Sequence, residues 1–162
     1  MPPELLHDLN TIASYPVIAD QAAIQAINPQ RFEMYQLTAI VHVDPAQHLV
    51  IGYKDVTTDE FWIRGHMPDY PLMPGVMMCE AAAQLTGYYA IKYRIVEAAF
   101  LVFAGMDEVR FRGQVRVGDR LVLVSKGVKV NRRQVTSNVQ GFVGDTMVFH
   151  GNIIGMPFNP GK

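Results

Sequence analysis

Apolar and polar residues alternate through Leu37, Ala39, Val41 and Val43 against Gln36, Thr38, His42 and Asp44, a period of two that predicts a half-buried strand over 35–44. Asp44-Pro45-Ala46-Gln47 turns the chain into a second strand, 49–56, so a hairpin is expected. The pattern then breaks. Pro68, Pro71 and Pro74 recur every third residue, which suits an extended or polyproline-II strap. From Val76 to Ile91 the residues favour a helix and carry one formal charge, Glu80. Beyond it, segments 100–111, 121–130, 134–143 and 146–154 are rich in β-branched and aromatic residues, with Asn131-Arg132-Arg133 and Gly144-Asp145 as tight links. Two strands, one segregated helix and four strands define an α+β chain.

A helix that is apolar on all sides is buried or crosses a membrane. At 16 residues, 76–91 falls short of the roughly 20 that a bilayer requires, and Glu80 and Gln84 interrupt it. A central core helix is therefore expected. Glu80, Gln84 and Gly87 share one stripe, at i, i+4 and i+7, which places a carboxyl group and an amide together in a core.

A lone buried carboxylate ordinarily serves an ion pair, yet no Lys or Arg occurs between Val76 and Ile91. Burial then favours the neutral, proton-donating form of Glu80. His66 is the base at the other end of the proline strap. The N–H groups of Gly75 and Val76 open the helix without intrahelical partners. A base, a carboxylic acid and a pair of N–H donors suit proton abstraction beside a carbonyl with loss of a neighbouring hydroxyl.

Gly65-His66-Met67-Pro68, Pro71-Leu72-Met73-Pro74-Gly75-Val76 and Glu80-Ala81-Ala82-Ala83-Gln84 resemble the signature of the FabZ-type 3-hydroxyacyl-[acyl-carrier-protein] dehydratases. Phe103 to Phe111 and Gly118-Asp119 resemble later blocks of that family in the same order, so the similarity covers roughly 24–156. The resemblance implies a hotdog fold, in which a curved antiparallel sheet wraps one long helix. Glu80, where the related dehydratase-isomerases carry Asp, points to this branch. Three departures stand out. Pro29-Gln30-Arg31-Phe32-Glu33-Met34 replaces a Pro-His-Arg-Tyr-Pro-Phe run, Met67 replaces Phe, and a proline usual before Gly118 is missing. The first two are read as lining the acyl tunnel or its gate.

With 162 residues, 49% of them hydrophobic, the chain suits one domain, 20–162, preceded by an arm, 1–19, of weak periodicity with Pro2, Pro3 and Pro16. Asp20 to Ile27 reads as a short helix stopped by Asn28-Pro29. A net charge of −1 gives no global attraction to nucleic acid or membrane. The first residues lack a positive and an apolar region, so no signal peptide is expected, and a single cysteine suits a reducing cytoplasm. Cys79 reads as a small buried hydrophobe. His7, His42, His48 and His150 have no ligand spacing, so no metal site is expected. Tyr88, Tyr89 and Tyr93 read as core or subunit-contact residues. Between Arg110 and Arg133 lie eight of the 14 basic residues against one acid, Asp119. They are read either as solvated strand faces or as a docking surface for an acidic partner, centred on Lys126, Lys129, Arg132 and Arg133.

The resemblance implies dehydration of (3R)-3-hydroxyacyl-[acyl-carrier-protein] to the trans-2-enoyl thioester in fatty acid biosynthesis. His66 would take the α-proton, Glu80 would protonate the leaving hydroxyl, the N–H groups of Gly75 and Val76 would hold the thioester oxygen, and Gln84 would orient Glu80. It also implies acyl carrier protein as partner, no cofactor, and a homodimer with His66 and Glu80 from different subunits, assembling to a hexamer. The rivals are a hotdog acyl thioesterase and a non-catalytic acyl-carrier-binding subunit. The intact pair of His66 and Glu80 disfavours the second.

Overall fold

The computed structural model of the protein describes residues 1–161. Six antiparallel strands form one sheet: β1 (Ala39–Asp44), β2 (Leu49–Asp55), β3 (Phe100–Phe111), β4 (Arg120–Asn131), β5 (Gln134–Val143) and β6 (Thr146–Phe158), in the order β1-β2-β4-β5-β6-β3. Two short helices precede them, α1 (Leu9–Ile12) and α2 (Gln21–Gln25), and the 18-residue α3 (Gly75–Lys92) lies between β2 and β3. Because β2 sits near one edge of the sheet and β3 forms the other, α3 has to cross the sheet between them.

The pleat sends alternate residues to opposite faces. Ile40, Val50, Leu123, Val139, Phe149 and Ile153 meet α3 through Met78, Ala81, Ala82, Leu85 and Tyr89. The sheet can come this close to the helix where Gly52 lacks a side chain: a Cβ there would lie 2.7 Å from the Ala39 carbonyl oxygen and 3.0 Å from Leu85 Cδ1. On α3, the Thr86 hydroxyl is satisfied by Ala82 O at 3.0 Å and Ser125 Oγ at 2.9 Å.

The other face of the sheet is covered as well. Val41, Leu49, Ile51, Val124 and Phe142 pack against Leu6, Leu9, Ile12 and Tyr15 of the N-terminal segment. Gln140 pins that segment, its Oε1 accepting from Leu6 N–H and its Nε2 donating to Glu4 O. This corrects the half-buried strand expected over 35–44: Ala39, Ile40 and Val41 are all buried, because one side chain faces the helix and the next faces the arm. The strand also starts four residues later than expected, since Tyr35 to Thr38 approach irregularly and give Gln36 N–H to a side chain of α3. Asp20 caps α2, accepting from Ala23 N–H at 2.9 Å, and Gly144 makes the β5–β6 turn with φ of +56°.

Candidate active site

His66 stands on a loop that doubles back on itself. The N–H groups of Gly65 and His66 both donate to Trp62 O, Met67 and Tyr70 exchange backbone hydrogen bonds, and Leu72 N–H donates to His66 O at 2.9 Å. The extended strap expected from the three prolines is thus confined to 71–74, and Pro68 lies in a turn. An extended strap would leave these backbone groups unpaired, whereas the turn gives each a partner. A buried ion pair, Lys54 Nζ to Glu60 at 3.1 Å with side chains 7% and 9% exposed, fastens the start of the loop to the end of β2.

The His66 ring is oriented by one contact, Nδ1 to the Leu72 carbonyl oxygen at 2.7 Å. A carbonyl can only accept, so Nδ1 carries the proton. In neutral His66 the Nε2 lone pair is then free, the tautomer a general base needs.

Gly75 and Val76 open α3 with N–H groups that donate to no acceptor among the described residues, while Met77 N–H turns back to Pro74 O at 2.9 Å. Pro74 offers no capping side chain. The Phe111 ring rests on Gly75 so closely that a Cβ there would lie 2.7 Å from it, and Val76 is 61% exposed. The helix N-terminus therefore presents two unspent donors beside an apolar wall, an arrangement that favours a developing negative charge on an oxygen.

Glu80 lies a turn and a half further along α3. Burial raises its pKa, and the hydrogen bond from Gln84 opposes the rise. Every polar atom of the Gln84 amide is used: Oε1 accepts from Gln36 N–H at 3.0 Å, and Nε2 donates to Glu80 Oε1 at 2.8 Å and to Met34 O. Asn28 Nδ2 also donates to the Gln84 backbone carbonyl. The amide cannot be flipped without breaking these bonds, so one Glu80 oxygen is always hydrogen-bonded and the other is left for chemistry. Gln84→Leu should free Glu80 and lower turnover by about 10–100-fold while substrate KM stays within a few fold, as read from steady-state kinetics.

The raised pKa has a sign for stability. A carboxyl whose folded pKa exceeds its unfolded value binds more protons when folded, so its contribution is present below the unfolded pKa and is lost as pH rises through the folded pKa. Glu80→Gln keeps an acceptor for Gln84 and carries no charge. Its melting temperature should exceed wild type at pH 8, with the gap closing near pH 4; an equal gap at both values would show that burial of the charge is not its cause.

His66 and Glu80 share no hydrogen bond within the chain, and His66 does not line the small cavity that Glu80 lines with Gln30, Ala83, Leu101 and Phe103. Cys79 is buried, its thiol pushed up to about 11 by desolvation, and Tyr88 and Tyr89 are core residues. The basic residues of 110–133 do not form one surface. Arg120 is held by both Asp55 carboxylate oxygens and lies 3.8 Å over the Tyr53 ring, and Arg112 donates to Met1 O. Arg132 and Arg133 are exposed in the β4–β5 turn, with Lys129 nearby on β4 and Lys126 half-buried. The adjoining core, Ala90, Val96 and Val135, lies at the C-terminal end of α3, about 27 Å of helix from Gly75. The sequence did not single out Lys54, Glu60 or the backbone of Met34 and Gln36, nor the packing of Phe111 on Gly75; the charged residues at the exit of β2, Lys54, Asp55, Asp59 and Glu60, were the available signal for the ion pair.

The six-stranded antiparallel sheet around one central helix is a hotdog fold, and a histidine with a free Nε2, a half-buried carboxyl group and a helix N-terminus with unspent donors are the groups a dehydratase calls for. The model of the FabA-like domain matches residues 28–152. The chain is 34% identical to the 3-hydroxyacyl-[acyl-carrier-protein] dehydratase FabZ of Desulfotalea psychrophila, over 83% of this chain and 91% of that protein. It is 33% identical to the FabZ of Moorella thermoacetica, over 83% and 94%. Among solved structures it resembles the dehydratase heterocomplex ApeI:P from Xenorhabdus doucetiae, with a TM-score of 0.71 at 16% identity, covering 85% of this chain and 91% of that one. It also resembles Cj0977, a sigma28-regulated virulence protein from Campylobacter jejuni, with a TM-score of 0.61 at 17% identity and 96% of each chain covered. The chain belongs to the FabZ-type 3-hydroxyacyl-[acyl-carrier-protein] dehydratase family.

Proposed function

We propose that the protein dehydrates (3R)-3-hydroxyacyl-[acyl-carrier-protein] to the trans-2-enoyl thioester in fatty acid biosynthesis. The observation that carries this reading is the contact of His66 Nδ1 with the Leu72 carbonyl, which leaves Nε2 free to act as a base. His66 Nε2 takes the α-proton as the thioester oxygen gathers charge against the N–H groups of Gly75 and Val76. Glu80, whose protonated form is favoured by burial, gives its proton to the departing hydroxyl, and water leaves. His66 then returns a proton to Glu80 by way of solvent. Proton transfers and charge stabilisation account for each step, so the reaction calls for no cofactor.

Purified protein with a 3-hydroxyacyl carrier should generate the conjugated enoyl thioester without releasing free carrier thiol. Thiol release without enoyl formation would make the chain a thioesterase; neither product would make it a carrier-binding subunit.

The working unit in this reading is a homodimer, with dimers joined into a hexamer and each site built from His66 of one copy and Glu80 of the other. Its support is the outer edge of β3, 12 residues long, where Phe103, Met106 and Phe111 are exposed by 41%, 45% and 50%. Residues 20–162 form the dehydratase domain in this reading and 1–19 its arm. No helix of the described residues is long and apolar enough to cross a membrane, and one buried thiol suits a cytoplasmic enzyme. Lys126, Lys129, Arg132 and Arg133 offer the acidic carrier a positive surface. Arg132→Glu combined with Arg133→Glu should raise the apparent KM for carrier-bound substrate several-fold and leave a small carrier-free thioester unaffected. Equal loss on both substrates would instead indicate damage to the sheet.

A further inference from the structure

The cavity beside Glu80 is small, about 30 Å³, the room of a single water molecule. Its apolar lining includes Ala83, Leu101 and Phe103, and the polar residues that line it are Glu80, Thr86 and Gln30. Thr86 is already spent on Ala82 O and Ser125 Oγ, and one oxygen of Glu80 is spent on Gln84. Gln30 is different. Its Oε1 is buried and has no hydrogen-bond partner among the described residues, a state that costs about 1–3 kcal/mol unless an entering molecule supplies a donor. Arg31 fixes the backbone at this point by donating to the carbonyls of Asn28 and Gln30.

The geometry points to Gln30 as the residue that receives the hydroxyl eliminated from the substrate, accepting its O–H through Oε1 while Glu80 supplies the proton that completes the water. This rests on the dehydratase reading given above. The bond that breaks joins the substrate β-carbon to its hydroxyl oxygen, and its electron pair goes to that oxygen. The new O–H bond takes the Glu80 proton, the α-proton goes to His66, and the product water occupies the cavity between Glu80 and Gln30. An unpaired acceptor opposite the acid holds the hydroxyl along a fixed direction and contributes nothing to binding of the thioester or the acyl chain. Gln30 thus discriminates substrates that carry a 3-hydroxyl from saturated ones.

The test separates hydroxyl recognition from general damage. In a His66→Asn background, which slows turnover and keeps a donor for Leu72 O, 3-hydroxyacyl carrier should bind about 5–10-fold more tightly than the saturated acyl carrier of equal length, the worth of one hydrogen bond. Adding Gln30→Met should abolish that preference and leave saturated acyl carrier binding as before. With His66 intact, Gln30→Met should lower turnover by about 10–100-fold, and Gln30→His, which can again accept a hydrogen bond, should recover part of it. Equal weakening of both ligands, or an altered oligomeric state in Gln30→Met, would make Gln30 a structural or interface residue and overturn the assignment. Undiminished turnover and preference in Gln30→Met would overturn it as well. Wild-type protein that forms no enoyl product from any 3-hydroxyacyl carrier would overturn the dehydratase reading itself, a result distinct from every outcome for Gln30.

Discussion

His66→Ala and Glu80→Gln should each lower dehydration by about 10²–10⁴-fold, the contribution of a positioned general base or acid. The two losses have different origins. Without the imidazole nothing takes the α-proton, whereas the Glu80→Gln amide keeps the Gln84 hydrogen bond but has no acidic proton to give. Because His66 also bonds Leu72 O, His66→Ala disturbs its own loop; His66→Asn, with an amide N–H able to reach that carbonyl and no base, separates the two effects. Loss of activity in both His66 variants with an unchanged melting temperature assigns the base. Near-wild-type rates in a folded variant of either position would remove that residue from the mechanism. If the sites are shared between subunits, mixing the two inactive variants under subunit exchange restores part of the activity, since one mixed site retains both native residues. No recovery, with exchange shown independently, would place both residues in one chain.

Gly52→Ala destabilises the fold by roughly 2–3 kcal/mol, a fall of roughly 5–10 °C in Tm at fixed protein concentration. The added Cβ meets the Ala39 carbonyl oxygen at 2.7 Å, and a backbone atom held in the β1–β2 ladder cannot move aside as a side chain end could. On its other side are Leu85 and Ile40, both fully buried. The helix must lift from the sheet, and since α3 carries Gly75, Glu80 and Gln84, activity falls with stability. A Tm within 1–2 °C of wild type, roughly the shift of a tolerated surface change, would show that the sheet absorbs the methyl group.

Most of the strand and helix plan was legible in the sequence because period-two alternation, a long uncharged helical run and short turn signals each have a local cause. The apolar residues of 76–91 and the Glu80-Gln84 spacing led directly to the core helix and the 2.8 Å contact between those side chains. Long-range partners left no such trace. Ile40 breaks the alternation of β1, and only the arm packed on the far face explains why residues on both sides of that strand are buried. The prolines of 68–74 spoke for an extended path, but hydrogen bonds between Met67 and Tyr70 and between His66 and Leu72 fold it. The basic run of 110–133 is contiguous in sequence and scattered in space, since a 12-residue strand carries its two ends far apart and Arg120 is committed to Asp55. Gln30 stood out only as a departure from a family pattern; its place beside Glu80 depends on how the chain before β1 meets β3.

The two edges of the sheet are unequal. At β1 the chain itself occupies part of the border: Ile18 and Ala19 N–H groups donate to Ile40 O, and Ile40 N–H donates to Ala19 O. At β3 one side of the strand pairs with β6 and the other is open. The sheet therefore has a valence of one. Two copies that joined β3 to β3 about a twofold axis would use up the open edge of each, and the next strand available is a β1 with Ala19 seated on it at Ile40, which disfavours growth by strand addition beyond two. A fibre built through this sheet would first have to peel residues 18–19 from β1, which ties resistance to runaway polymerisation to the grip of a few residues ahead of α2.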